Sequence, residues 1–169
     1  QSTAATVSDT ISGIISGDTV SVSETASFAD KNVGTAKTVS ITSMALAGAD
    51  AGNYTLASTT AMTTANITAK ALTASFSGTN HVYDATTGAT VSGTSSDSIS
   101  GDTVTVSQTA AAFSNKNVGT GKTISISGIS LSGADAGNYS LQNTTATTTA
   151  NITQASLAVS GASAANKVY

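Results

Sequence analysis

The sequence has no cysteine, no proline and no tryptophan, and it has a single histidine, His81. Without cysteine, neither a disulfide framework nor a thiolate metal site can form. With one histidine and no cysteine, a zinc site or a Ser–His–Asp triad has few residues to draw on. Charge is scarce as well. Charged residues make up 9% of the chain, against roughly 25% in average usage. The net charge is −3, which argues against a nucleic-acid partner, because phosphate binding needs a basic surface. No apolar run approaches the roughly 20 residues that span a bilayer as a helix. No charged segment followed by an apolar stretch marks a signal peptide.

Small polar residues fill the space that charge leaves. Ser and Thr together are 58 of the 169 residues. Such a bias can mark disorder. Here it does not, because 39% of the chain is hydrophobic and the apolar residues recur in short alternating runs.

Internal repetition is the dominant signal. The string "GADAGNY" occurs at 48–54 and again at 133–139. "ISGDTVSVS" at 15–23 matches "ISGDTVTVS" at 99–107, and "DKNVGTAKTVSI" at 30–41 matches "NKNVGTGKTISI" at 115–126. "TTAMTTANIT" at 59–68 matches "TTATTTANIT" at 144–153. The offset drifts from 84 to 85 through one inserted residue near Ala110–Ala112. "NHVY" at 80–83 matches "NKVY" at 166–169. A period of this length exceeds the roughly 20–50 residues of solenoid repeats and suits a small domain. Residues 1–68 then form a first repeat that lacks its N-terminal strand, 69–153 a second and complete repeat, and 154–169 the first strand of a third. This phasing points to a segment of a longer tandem array. It also allows the terminal strand of one chain to complete the first repeat of another by strand addition.

The coarse structure reads as strands throughout. Val20 and Val22, Val39 and Ile41, Tyr54 and Leu56, Ala65 and Ile67, and Leu72, Ala74 and Phe76 alternate with Ser and Thr. Thr suits the pleated surface because of its β-branch. Glycine-containing turns separate the runs, and no segment sustains a helical period. The expected fold is all-β, with small sandwich-like modules stacked end to end; β-grasp-like modules are the alternative. Within "GADAGNY", the glycines permit a tight reversal. The Asp and Asn can hydrogen-bond nearby backbone amides. The Tyr opens a strand with its ring inward and its hydroxyl free to bond a loop, the logic of a tyrosine corner.

The blocks "HVYDATTGATV", "GDTV", "KNVGT", "GADAGNY" and "TTANIT", in this order and spacing, resemble the YDG/MBG-type repeats of very large bacterial surface adhesins, many of them haemagglutinin-like. The resemblance covers essentially the whole chain. It implies tandem stalks on the bacterial cell surface or in a secreted biofilm matrix, with no enzyme, no cofactor and no defined ligand site. Members of that class usually carry Gly after Tyr-Asp, where this chain has Ala85.

Few residues invite a chemical reading. His81 aligns with Lys167, so the repeat does not require an imidazole there. Asp50, Asn53, Asp135 and Asn138 offer oxygen ligands for calcium, but their spacing lacks the dense acidic pattern of a calcium loop, and turn capping is the expected role. Lys31 and Lys116 could form Lys–Asn isopeptide bonds, yet Glu24 aligns with Gln108, so the second copy lacks the best acid for that step. An ordinary hydrogen bond or ion pair is the expectation. Five Asn-x-Ser/Thr sequons, at Asn53, Asn66, Asn138, Asn143 and Asn151, are close to what this Ser/Thr content gives by chance. The functional expectation is a structural spacer in an extracellular adhesin or matrix fibre, partnered by neighbouring repeats or identical chains. A module binding surface or matrix polysaccharide is the alternative.

Overall fold

The computed structural model describes residues 2–169. It is all-β; among the described residues the only helical pieces are two short 3-10 turns, Ala51–Asn53 and Ala136–Asn138. Two compact units are present. The first comprises Gln1–Ala71, Ile99–Thr103 and Ala134–Ser140; the second comprises Leu72–Ser98, Val104–Gly133 and Leu141–Tyr169. Each has its own apolar interior.

The first unit is built on an antiparallel sheet of β1 (Ser21–Phe28), β2 (Gly34–Ala47) and β3 (Ala61–Ile67), in that order. Phe28 stands opposite Val39 and Ala26 opposite Ile41. Ala26, Val39 and Ile41 are buried, with Ala5, Val7, Phe28 and Met44 packed against them. Residues 3–5 line the far edge of β1, where Ala5 N–H donates to Ala26 O (2.9 Å) and Phe28 N–H to Thr3 O (2.7 Å). The outer edge of β3 has no strand beside it among the described residues.

In chain order β3 is followed by β4 (Lys70–Leu72), β5 (Ser75–Gly78), β6 (His81–Val82), β7 (Val91–Thr94) and β8 (Thr105–Ser107). They are followed by β9 (Ala110–Phe113), β10 (Gly119–Ser127), β11 (Ser130–Ser132), β12 (Tyr139–Leu141) and β13 (Thr145–Thr153). The second unit carries a four-stranded sheet in the order β6-β13-β10-β9, with β6 parallel to β13 and the other pairs antiparallel. β5 pairs with β7, and β11 with β8. β4 and β12 form a further two-stranded pair. β5 lies close over the larger sheet. A side chain at Gly78 would come within 2.8 Å of Ile124 Cδ1 and Thr149 O, so this position needs glycine. Ala74, Phe113, Ile124, Ile126, Ile129, Ala150 and Ile152 are buried beneath it.

The two sheets repeat one register. Phe113 stands opposite Ile124 and Ala111 opposite Ile126, as Phe28 and Ala26 stand opposite Val39 and Ile41. The ladder slips between Gly119 and Lys122 as it does between Gly34 and Lys37. A one-residue slip elsewhere would turn every inward side chain outward, so the burial of these isoleucines pins the pairing.

Two expectations from the sequence are revised. The alternation of Tyr54 and Leu56 predicts a strand, but residues 54–56 have no regular structure, whereas Tyr139–Leu141 is β12. The physical reason is the partner: β12 pairs with β4, and no aligned strand lies beside residues 54–56. The run 71–77, read as continuous, breaks at Thr73–Ala74. There the Thr73 N–H donates to Asp97 Oδ2 (2.9 Å), and Asn143 Oδ1 accepts from Ala74 N–H (2.9 Å).

Candidate functional site

The repeated corner is the most elaborate side-chain arrangement in the chain. In the first copy, Asp50 Oδ2 accepts the Thr19 N–H at 2.8 Å. The Tyr54 hydroxyl donates to Asp18 Oδ2 at 2.6 Å and accepts the Ile15 N–H at 3.0 Å. In the second copy, Asp135 Oδ2 accepts the Thr103 N–H at 2.9 Å. The Tyr139 hydroxyl donates to Asp102 Oδ2 at 2.7 Å and accepts the Ile99 N–H at 2.9 Å. The tyrosine ring thus anchors a loop through its hydroxyl. Both tyrosine pKa values are raised: for Tyr54 mainly by donation to Asp18, for Tyr139 mainly by burial and then by Asp102.

The aspartates do not act as local caps. Asp50 and Asp135 each precede a 3-10 turn without a side-chain hydrogen bond to it. They reach instead to an amide 31 or 32 residues away in sequence, clamping "GADAGNY" to "GDTV". The short range assumed for Asx-turns is therefore corrected, because the extended chain brings the two loops side by side. Asp18 and Asp102 were missed as site residues by sequence reasoning. The signal was there, since both sit in the repeated "ISGDTV" string.

The second corner has a further partner. Lys31 Nζ donates to Asp135 Oδ1 at 2.8 Å and to Asp102 Oδ1 at 3.3 Å. The Asp102 side chain is only 2% exposed. Asn138 Oδ1 accepts the Val33 N–H at 2.9 Å, and Asn138 Nδ2 donates to Asn32 Oδ1 at 3.3 Å. All these residues belong to the first unit. The Asp135 carboxylate bonded to Lys31 raises the lysine pKa first, and Asp102 adds to it. In return Lys31 holds the Asp135 carboxyl below its ordinary value, helped by the Thr103 amide. The ion pair favours the charged Lys31 amine, the opposite of what its attack on an asparagine amide would need.

The calcium candidates therefore fall into two pairs. Asp135 and Asn138 are engaged by Lys31 and Val33. Asp50 uses one oxygen on Thr19, and the Asn53 side chain has no partner among the described residues. Among the described residues, no three His, Cys, Asp or Glu side chains gather to hold a metal ion. Of the sequons, Asn66, Asn143 and Asn151 hold backbone amides of Ala36, Ala74 and Gly121.

His81 is half-buried on β6, its ring 6.0 Å from that of Phe113. Its Nε2 lies 3.0 Å from Asp84 Oδ1, but off-axis for a well-formed hydrogen bond. Asp84 also accepts from Thr86 N–H at 2.8 Å and from the Thr86 hydroxyl at 2.7 Å. His81 first, then Thr86, brings the Asp84 carboxyl down to about 2. Ala85, next in the Tyr-Asp-Ala turn, has φ +69°, the left-handed region that favours glycine.

The YDG domain family matches this chain over residues 1–61 and 68–149. No curated protein and no solved structure matches it. The matching description is of a YDG domain alone, without MBG repeats, haemagglutinins or bacterial surface adhesins. The resemblance to repeats of that adhesin class is corrected accordingly: the match does not carry the chain into it.

Proposed function

The chain belongs to the YDG domain family, and from that premise we propose that it is a structural spacer repeat of an extracellular adhesive or matrix fibre, joining identical chains head to tail by strand addition. One observation carries this reading. In the second unit β5 and β6 cover β13, and Ala150 and Ile152 are 6% and 1% exposed. In the first unit the near-identical string forms β3, and no strand covers it among the described residues. Ala65, the counterpart of Ala150, is exposed, and Ile67, the counterpart of Ile152, is only half-buried.

The matching cover exists elsewhere in the chain. Residues 154–169 are the sequence counterparts of the segment holding β4, β5 and β6, and they form no strand. Leu157, Val159 and Val168 are 96%, 92% and 90% exposed. Apolar side chains so displayed gain about 25 cal/mol per Å² when covered. An open strand edge offers a row of unpaired backbone groups to complete the junction. Low charge and abundant Ser and Thr support a spacer role, since little repels one chain from the next.

Sedimentation of the whole chain across a concentration series tests this. The wild-type chain is expected to form head-to-tail multimers. L157D, which alters a side chain that is 96% exposed, is expected to remain monomeric. Equal association of the two would overturn strand addition.

A further inference from the structure

The Lys31 cluster supplies a template for a second contact. Each of its groups has a repeat counterpart, and the counterparts keep the same internal bonds while the atoms that would make the second contact have no partner among the described residues. Asp18 and Asp50 correspond to Asp102 and Asp135. Both spend Oδ2 on the same internal bonds, to Tyr54 and Thr19. The oxygens that meet Lys31 in the second corner, the Oδ1 atoms, have no partner on Asp18 or Asp50 among the described residues. Asn53, the counterpart of Asn138, is likewise unengaged.

The donor loop is repeated too. Lys116, Asn117 and Val118 correspond to Lys31, Asn32 and Val33. Asn117 N–H donates to Asn115 Oδ1 at 3.1 Å, as Asn32 N–H donates to Asp30 Oδ1 at 2.8 Å. Lys122 Nζ ties Asn115 to Asn117 O, as Lys37 ties Asp30 to Asn32 O. The loop is therefore held in the same shape in both copies. Lys116 is exposed and makes no ion pair or side-chain hydrogen bond among the described residues, and Val118 is 49% exposed.

We infer that the Lys116–Val118 loop is a docking site for the Asp18, Asp50 and Asn53 corner of a second copy of this chain, with Lys116 bridging the two free carboxylate oxygens. The occupant is specified by the chemistry on the page. It must present two carboxylate oxygens close enough for one ammonium, and beside them an amide oxygen for the Val118 N–H. The first corner has these groups in the arrangement that Lys31 already binds in the second. Charge-assisted bonds of this kind are stronger and shorter than neutral ones, and they fix register. The inference rests on the head-to-tail reading above and adds the polar contact that would set the junction.

The experiment measures self-association of the whole chain by sedimentation equilibrium. K116E changes an exposed residue with no ion pair or side-chain hydrogen bond among the described residues, and it is expected to weaken association about tenfold or more through lost bonds and like-charge repulsion. K116E/D50K restores opposite charges at the junction and is expected to recover most of that loss. Circular dichroism checks that D50K, which removes the acceptor for Thr19, still folds. If it does not, salt decides: association of wild type is expected to fall with salt, while that of K116Q is insensitive. Association of K116E equal to wild type would overturn the docking site. Loss in L157D with none in K116E leaves strand addition standing alone. Loss in K116E with none in L157D leaves the docking site and removes the strand. A wild-type chain that stays monomeric at every concentration overturns both.

Discussion

Ile67 and Ile152 occupy one ladder position, opposite Gly34 and Gly119, yet Ile152 is 1% exposed and Ile67 is only half-buried. The strands around them are near-identical in sequence. The difference comes from what lies over them: β5 and β6 cover β13, and no strand covers β3 among the described residues.

Truncating the two residues should therefore cost different amounts. Ile152→Ala is expected to destabilise the second unit by about 2–5 kcal/mol, since it leaves a cavity in a closed core. Ile67→Ala is expected to cost about 1 kcal/mol in the isolated chain, since much of its side chain already meets water. Urea unfolding of the two variants under non-associating conditions checks the contrast.

Among the described residues, three positions hold a left-handed backbone without glycine. Ala36, Ser43 and Ala85 have φ of +49°, +56° and +69°, and the counterparts of the first two are Gly121 and Gly128. The left-handed region costs a residue with a Cβ about 1–2 kcal/mol, part of which glycine loses again in chain entropy. S43G and A85G are each expected to stabilise by about 0.5–1 kcal/mol. G128A is expected to destabilise, because its Cβ would meet Thr109 Oγ1 at 1.9 Å. Thermal melts of the three variants test this.

Asp84 should titrate near 2. Its folded value is lowered from 3.8, so its contribution to stability is present above the unfolded value and is lost as pH falls from about 4 through about 2. Replacing His81 with Asn is expected to move the Asp84 titration upward, because His81 is the first cause of the shift. Carboxyl-detected NMR titration reads the change directly.

The Lys31 clamp has the same sign on its acidic side. Asp135 is lowered and Lys31 is raised, so the pair contributes in full above the ordinary Asp value and below the ordinary Lys value, and that contribution is lost as pH falls through the lowered Asp135 value or rises through the raised Lys31 value. Lys31→Met is expected to return the Asp135 titration toward 3.8 and leave that of Asp84 unchanged. The same NMR titration checks both.

Local pattern made the ladders legible. Val39 with Ile41, and Ile124 with Ile126, alternate with Ser and Thr, and all four side chains face the interiors. Tyr139 and its hydroxyl bond to the Ile99 loop also follow from residue chemistry at a turn. What the pattern could not give is distance. Lys31 and Asp135 are 104 residues apart, and Thr19 and Asp50 are 31 apart. Only the fold sets those pairings. Nor could it separate Ala65 from Ala150, since identical "TANIT" strings are covered in one place and open in the other. Burial there depends on a strand from elsewhere, which no local periodicity records.

A directed cross-link tests the junction most directly. Thr153 stands opposite Val82 where β6 runs beside β13. By the repeat, Thr68 of one chain should then stand opposite Val168 of another, within the roughly 4.4–6.8 Å Cα separation that a disulfide bridges. Because the chain has no cysteine, T68C/V168C introduces the only thiols. Under mild oxidation it should give a ladder of trimers and longer multimers on a non-reducing gel, while T68C alone stops at dimers. Monomers only, or the same products from a register-shifted T68C/S163C chain, would contradict strand addition at β3.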